Sequence, residues 1–299
     1  MRVTQNTSAN QVLASLQTIL KRQQMLQQQA ATGVKINNPG DDPVATQQVL
    51  HLKSLSAAGD QFTRNITNAT STLTVVESAM SSMGDVLVRA KELAIAMSND
   101  TYNAESQAAA AKEFDQLRSQ VISVGNTEFN GKFIFGGFKN DTAPFDLTTG
   151  AFNGTNDETK VEIARGSFLS TSYSGETLVS GGSPPGSTGV NIVGIFDNIA
   201  TALASNNSAG VRAELENLDA AQAQVMAGRA EIGSRMNRLT SANSVNDDMK
   251  LSITQVVAGL QDVDYAQVLS DLTKQQNAFQ TAVAASAKIS QISLLDYLR

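Results

Sequence analysis

The sequence predicts a mainly α-helical protein. Its N- and C-terminal flanks are expected to pair as a long antiparallel coiled-coil or helical-bundle rod, with a small β-rich domain inserted between them. Three observations carry this prediction. Proline occurs only at Pro39, Pro43, Pro144, Pro184 and Pro185, so residues 44–143 and everything after 185 are free of it. Thirteen of the 21 glycines fall between Gly125 and Gly194, and seven of the 11 phenylalanines between Phe129 and Phe168. Both flanks, in contrast, repeat apolar residues at helical spacing.

Taken in order, the first periodic segment carries Val12, Leu16, Ile19 and Leu26 with a Gln-rich face. It is poor in bulky apolar groups, so an isolated helix here is marginal in water. The stretch T-G-V-K-I-N-N-P-G-D-D-P-V-A follows at 32–45. Gly33 suits the positive φ that ends a helix, and Asp42 before Pro43 suits an N-cap followed by proline in the first turn. A second helix therefore starts just after Pro43. Its seam runs Phe62, Ile66, Ala69, Leu73, Val76, Met80, Met83, Leu87, Ala90, Ala94, Met97, a length of about 50 Å at 1.5 Å per residue. A shorter seam follows at Ala110, Phe114, Leu117, Val121 and Val124.

The middle reads as β structure. Asn130-Gly131 between two short apolar arms is a hairpin signal, with Phe133 and Phe135 expected on one face of the outgoing strand. Val161 and Ile163 alternate with polar neighbours in another strand, and residues 180–189 read as a surface loop. In the C-terminal flank Leu218, Val225, Ile232, Leu239, Asn246, Ile253 and Leu260 recur every seven residues. Ala221, Gly228, Arg235, Ala242, Met249, Val256 and Val263 accompany them three residues on. Arg235 and Asn246 interrupt this seam, as register-fixing polar groups or as a local shift. The last segment carries Leu272, Phe279, Val283, Ile289, Ile292, Leu295 and Leu298 among Ala and Ser. Like the first, it needs partners to become ordered. The expected organisation is a terminal polymerisation region (1–44 and 262–299), a long-helix rod (45–130 and 195–261) and an outer β-rich domain (131–194).

Composition narrows the function. The chain has no Cys and a single His, so thiolate chemistry, disulfides and cysteine-based zinc sites are excluded. Net charge is −6 with scattered Lys and Arg, which argues against nucleic-acid binding. No run of 18 apolar residues is present, so membrane insertion is not expected, and no cleavable secretory signal is visible. Asp41-Asp42 has no regular set of further oxygen ligands and reads as helix punctuation rather than a metal site. His51 has no catalytic partner. Asp262 and Asp264 read as solvated positions on a helix, and the Gly-rich 180–189 lacks the strand and Lys of a phosphate loop. No catalytic, cofactor or metal constellation is expected, and no enzyme.

The segment at 32–45 resembles the N-terminal signature of the bacterial flagellin superfamily. A-F-Q-T-A-V-A-A-S-A-K-I-S-Q-I-S-L-L-D-Y-L-R at 278–299 is similar to its C-terminal signature. Asp42-Pro43-Val44-Ala45, the stretch F-N-G-K-F-I-F-G-G-F-K-N-D-T-A-P-F at 129–145 and the ending S-L-L-D-Y-L resemble the adaptors at the hook–filament junction more than the filament subunit. The resemblance implies a secreted structural subunit, exported by the flagellar type III pathway and assembled through its terminal helices. Implied partners are copies of itself in a ring, the hook-side junction protein, flagellin, and a cytoplasmic export chaperone on the C-terminal segment. Flagellin itself and a non-flagellar coiled-coil adaptor stay open as alternatives.

Overall fold

The computed structural model describes residues 2–99 and 102–297, with side chains over 10–99 and 102–288. Seven α-helices are described: α1 (Arg2–Thr32), α2 (Pro43–Met97), α3 (Ala104–Gly125), α4 (Ile192–Ala204), α5 (Ser208–Ala213), α6 (Leu215–Gln261) and α7 (Tyr265–Tyr297). Between α3 and α4 lie two antiparallel hairpins, β1 (Glu128–Phe129) with β2 (Lys132–Phe133), and β3 (Lys160–Ala164) with β4 (Ser167–Ser170). The chain divides into two compact units. One comprises residues 1–58 and 249–299, the other residues 59–248.

The 59–248 unit is built on the α2 seam. From Ile66 to Met97 every seam position is buried, and Leu73, Val76, Met80 and Met83 are fully so. Against them α6 buries Leu218, Ala221, Val225, Ile232 and Leu239. Each such large side chain stabilises the fold by about 1.5–3 kcal/mol. The antiparallel sense shows in the polar cross-links. Lys91 pairs with Asp219, Arg229 with Glu77 at 2.7 Å, and Asn246 with Thr63, so rising numbers on α6 meet falling numbers on α2. Asn246 Nδ2 donates to the Gly59 carbonyl at 2.8 Å and to Thr63 Oγ1 at 2.7 Å. Its polar interruption of the heptad is thus satisfied across the seam.

The heptad companions do not stay inside. Ala221, Gly228 and Arg235 are buried and Ala242 half-buried, but Met249 and Val256 are exposed. A seven-residue repeat on a straight helix drifts about 20° per heptad, so after four heptads its second row has turned out of the contact.

α3 buries Ala110, Phe114, Leu117 and Val121 and packs on α4, whose Ile192, Ile195, Phe196, Ile199 and Leu203 are buried. Phe114 meets Phe196 with ring centroids 6.0 Å apart. α4 is capped by Asn191, whose side chain accepts the Gly194 N–H. Its first three residues fall at the end of the stretch expected to be β-rich (131–194), and the rest in the stretch expected to be helical (195–261).

In the first hairpin Asn130 (φ 53°) and Gly131 (φ 75°) make the two-residue turn that pairs Phe129 with Lys132. Phe135 is not on that strand. β2 stops at Phe133, whose carbonyl accepts the Gly136 N–H at 3.4 Å, and Phe135 is buried in the following turn. The 180–189 loop is likewise only partly at the surface. Ser180, Gly181 and Gly182 are buried, and Gly181 O accepts the N–H groups of Thr188 and Gly189.

The hairpin β3–β4 is tied to helices on both sides. Asn65 Nδ2 of α2 donates to Glu162 O at 2.8 Å, and Arg235 of α6 donates to Ser172 O at 2.7 Å and to Glu158 at 2.7 Å. Arg235 is therefore the anchor of the inserted hairpin.

Candidate assembly surface

The 1–58/249–299 unit contains both helix breaks. α1 ends at Thr32, and Gly33 follows with φ +72° while its N–H closes the last turn on Gln29 O at 2.9 Å. A Cβ at Gly33 would stand 2.6 Å from the Tyr265 hydroxyl, which an exposed tyrosine can relieve by turning away, so it is the positive φ that calls for glycine here. The segment 34–42 is held by its own polar groups. Asp41 Oδ2 accepts the N–H groups of Asn37 and Asn38 at 3.1 and 2.8 Å, and Asn37 Nδ2 donates to Val34 O at 3.0 Å. Asp42 Oδ1 accepts the Ala45 N–H at 3.0 Å in the first turn of α2, which opens at Pro43. Both carboxylates of the pair are thus bonded to backbone amides.

The second break lies beside the first. Asp262 and Asp264 are not helical positions, because α6 ends at Gln261 and α7 starts at Tyr265. Asp264 caps α7, accepting from Ala266 N at 2.9 Å and Gln267 N at 3.2 Å. Val34 and Asp262 form an antiparallel bridge, Lys35 N donates to Gln261 O at 2.6 Å, and Val263 N to Gly33 O at 3.1 Å. The two breaks therefore satisfy one another's backbone groups, which water would otherwise have to do.

Beyond the breaks α1 packs on α7. Leu26 is buried, while Val12, Leu16, Ile19, Leu272 and Phe279 are half-buried, and Gln275 Nε2 donates to Ile19 O at 3.2 Å. Val283 is exposed. Ile289, Ile292 and Leu295 lie on α7 beyond the described side chains, and Leu298 lies outside the described residues. Among the described side chains of this unit, the buried apolar residues are Leu26, Ile36, Ala45, Val49, Ile253 and Val268.

The larger apolar surface lies elsewhere on these helices. Val44 (69% exposed), Leu50 (62%) and Leu251 (60%) stand in water, as do Leu13, Leu20, Met249, Val256, Tyr265 and Leu269. Apart from Met249 and Val256, which belong to the companion row of the α6 heptads, these residues fall between the seam positions, so a search for one apolar stripe passes over them. Their signal is a second set of apolar residues out of phase with the first. So many exposed apolar side chains on one small unit suit burial against other chains. His51 is exposed on α2. Among the described residues no group of three or more His, Asp or Glu could hold a metal, and no helix is long and apolar enough to cross a membrane.

Replacing Asp42 with Ala removes one cap. The expected loss is on the order of 1 kcal/mol in chemical denaturation followed by circular dichroism. A larger loss that appears only with divalent cations present would identify a metal site instead.

Residues 3–140 match the bacterial flagellin N-terminal helical region, and residues 215–298 the bacterial flagellin C-terminal helical region. The chain is 29% identical over 285 residues to the flagellar hook-associated protein 3 of Escherichia coli (strain K12), covering 89% of this chain and 90% of that one. It is 25% identical to the protein of the same name from Salmonella typhimurium, over the full length of both. Its fold is similar to that of a Vibrio parahaemolyticus chain assigned as a flagellar hook-associated protein. The TM-score is 0.68 at 24% identity, covering 74% of this chain and all of that one.

Proposed function

Because the chain belongs to the bacterial flagellin family, we propose that it is the flagellar subunit that joins the hook to the filament. The observation that carries this reading is similarity to two hook-associated proteins 3 along nearly the whole of each chain. In this role copies of the chain form a ring. The ring contacts the hook-side junction protein on one side and flagellin on the other. Export is through the flagellar type III pathway, with a cytoplasmic chaperone holding the C-terminal segment until then. The protein ends outside the cell, in the flagellum.

The chemistry of the terminal unit supports assembly through it. Its apolar side chains are largely exposed, and α1 and α7 share few buried large residues. Segments that bury too little to fold well alone become ordered when a partner supplies the missing surface. On this reading residues 1–44 and 262–299 polymerise, 45–130 and 195–261 form the rod, and 131–194 lies outermost. Val12, Leu16, Ile19, Leu26, Leu272, Phe279, Val283, Ile289, Ile292, Leu295 and Leu298 serve assembly. Contacts of this head-to-tail kind close a ring or propagate along an axis.

Deletion of the gene tests the function. Electron microscopy is expected to find hooks without filaments, with flagellin in the medium. Intact filaments on the deletion strain would overturn the junction role. Loss of the filament protein itself would identify the chain as flagellin.

A further inference from the structure

The chain holds two Asn-Gly pairs, Asn130-Gly131 and Asn153-Gly154, and the fold gives them opposite surroundings. An asparagine followed by glycine is the pair most prone to cyclise, because no side chain on the glycine hinders its nitrogen from reaching the asparagine carboxamide. Whether the two groups meet is then decided by how firmly the backbone is held.

At Asn130-Gly131 it is held loosely. Both residues are exposed and form the turn between β1 and β2, at φ 53° and 75°. A Cβ on Gly131 would meet nothing within 4 Å, so no neighbour crowds the site. Among the described residues, neither the Asn130 carboxamide nor the Gly131 N–H has a hydrogen-bond partner. The strands that this turn joins have two residues each, so little pairing is lost when it opens.

At Asn153-Gly154 the backbone is held firmly. Asn153 N donates to Pro144 O at 2.7 Å and Thr155 N to Gly136 O at 3.1 Å, which fixes the chain on both sides of Gly154. The Phe152 ring lies 2.6 Å from where a Gly154 Cβ would stand. Opening the chain here would also part Phe152 from the buried Phe145, whose ring centroids are 5.3 Å apart.

We infer that Asn130 is a site of spontaneous covalent modification in the folded protein, and that the fold shields Asn153 from the same reaction. When the turn opens, the Gly131 nitrogen gives its proton to solvent base and attacks Asn130 Cγ. The carboxamide nitrogen takes up a proton and leaves as ammonia, which closes a five-membered imide. Water then cleaves one of the two ring C–N bonds that Gly131 holds. Cleavage at Cγ leaves an aspartate, and cleavage at the main-chain carbonyl leaves an isoaspartate whose main chain runs through Cγ. One water is consumed, one ammonia is released, and nothing is oxidised or reduced. Either product adds one negative charge to the net −6. The isoaspartate also lengthens the main chain by one carbon, so a two-residue turn no longer joins Phe129 to Lys132 in register. Older copies thus come to differ from newer ones at an exposed turn. This property belongs to the chain itself, whatever it assembles with.

The purified full chain is held at mildly alkaline pH in heavy-oxygen water, native and in guanidinium chloride, then cut with trypsin and read by mass spectrometry. Cleavage after lysine and arginine puts the two asparagines in separate peptides, 119–132 and 140–160. In the folded protein, label is expected at Asn130 at least about tenfold faster than at Asn153, the effect of about 1.4 kcal/mol in barrier height. In guanidinium chloride the two are expected to convert at comparable rates, because folding alone separates them. Asn130→Gln is expected to remove the label from the first peptide, since the longer side chain must close a six-membered ring and does so far more slowly. Label that persists in this variant would trace to Asn126 and overturn the assignment. Comparable rates in the folded protein, or a lead for Asn153, would overturn it as well. So would an Asn130 that converts in guanidinium chloride and stays intact in the folded chain.

Discussion

Arg235→Ala is expected to destabilise the 59–248 unit by about 2–3 kcal/mol, somewhat under the roughly 3–5 kcal/mol cost of breaking a fully buried ion pair. The side chain is 11% exposed and makes four bonds' worth of contact, to Ser172 O, Ser170 O, Glu158 and Glu231. The guanidinium also lies 5.9 Å from the centre of the Tyr173 ring. Alanine leaves the Ser172 carbonyl without its side-chain donor and Glu158 with only its Ser170 bond. Glu231 is half in water and rehydrates at little cost, which is why the loss stays below the full buried-pair figure. Arg235→Lys recovers only part, because an ammonium cannot span the carbonyl and both carboxylates as a planar fork does.

The pH dependence follows from Glu158. Burial pushes its carboxyl up, but the Ser170 hydrogen bond and Arg235 outweigh this and hold it below the usual 4.5. A carboxyl lowered by folding contributes stability above its unfolded value and loses it as pH falls through the folded one. The difference between wild type and Arg235→Ala in urea denaturation should therefore be full at neutral pH and shrink below about pH 4.5. A gap independent of pH would mean that the carbonyl bonds, not the ion pair, fix the hairpin.

Phe114→Ala is expected to cost more, about 3–5 kcal/mol, as a large-to-small change in a closed core. Phe114 is fully buried in α3 and meets the Phe196 ring of α4 in a tilted contact at 57°. The cavity would be lined by helices pinned elsewhere. Arg118 pairs with Asp197 at 2.7 Å, so α3 and α4 cannot simply close on the gap. Phe114→Leu should recover most of the loss, since it keeps much of the volume. The urea midpoint is the measurement. A change in slope without a change in midpoint would instead mean that α3 and α4 unfold apart from the rest.

Much of the fold is legible in the sequence where burial alone decides it. The α2 seam and the first rows of α6 are apolar because they are inside, and spacing reports that directly. The Asn130-Gly131 turn is legible because only such residues take two positive φ values cheaply. The α6–α7 break is harder to see, since it has neither Pro nor an αL glycine. It is made by Asp264 as a cap and by backbone bonds to residues over two hundred positions earlier, which no local pattern contains. The start of α4 is blurred differently: its Ile192, Ile195, Phe196 and Ile199 have helical spacing and most of it falls where helix is expected, but it follows directly on a Gly/Pro-rich loop. The second apolar set on the terminal helices is invisible as an interface because it is out of phase with the one seam being sought. Arg235 reads as an interruption because its partners, Glu158 and Ser172, come from the insert.

The pairing of the two helix breaks sets an order of events. Gly33 and Val34 find their backbone partners on Val263 and Asp262, and Ile19 accepts a bond from Gln275, 256 residues further along. Contacts of such sequence separation form late, because the chain between them must first be gathered in. A chain synthesised from its N-terminus presents α1 first, yet the helix that α1 packs on among the described residues, α7, is made last. The first residues to emerge are therefore among the last to take their final form.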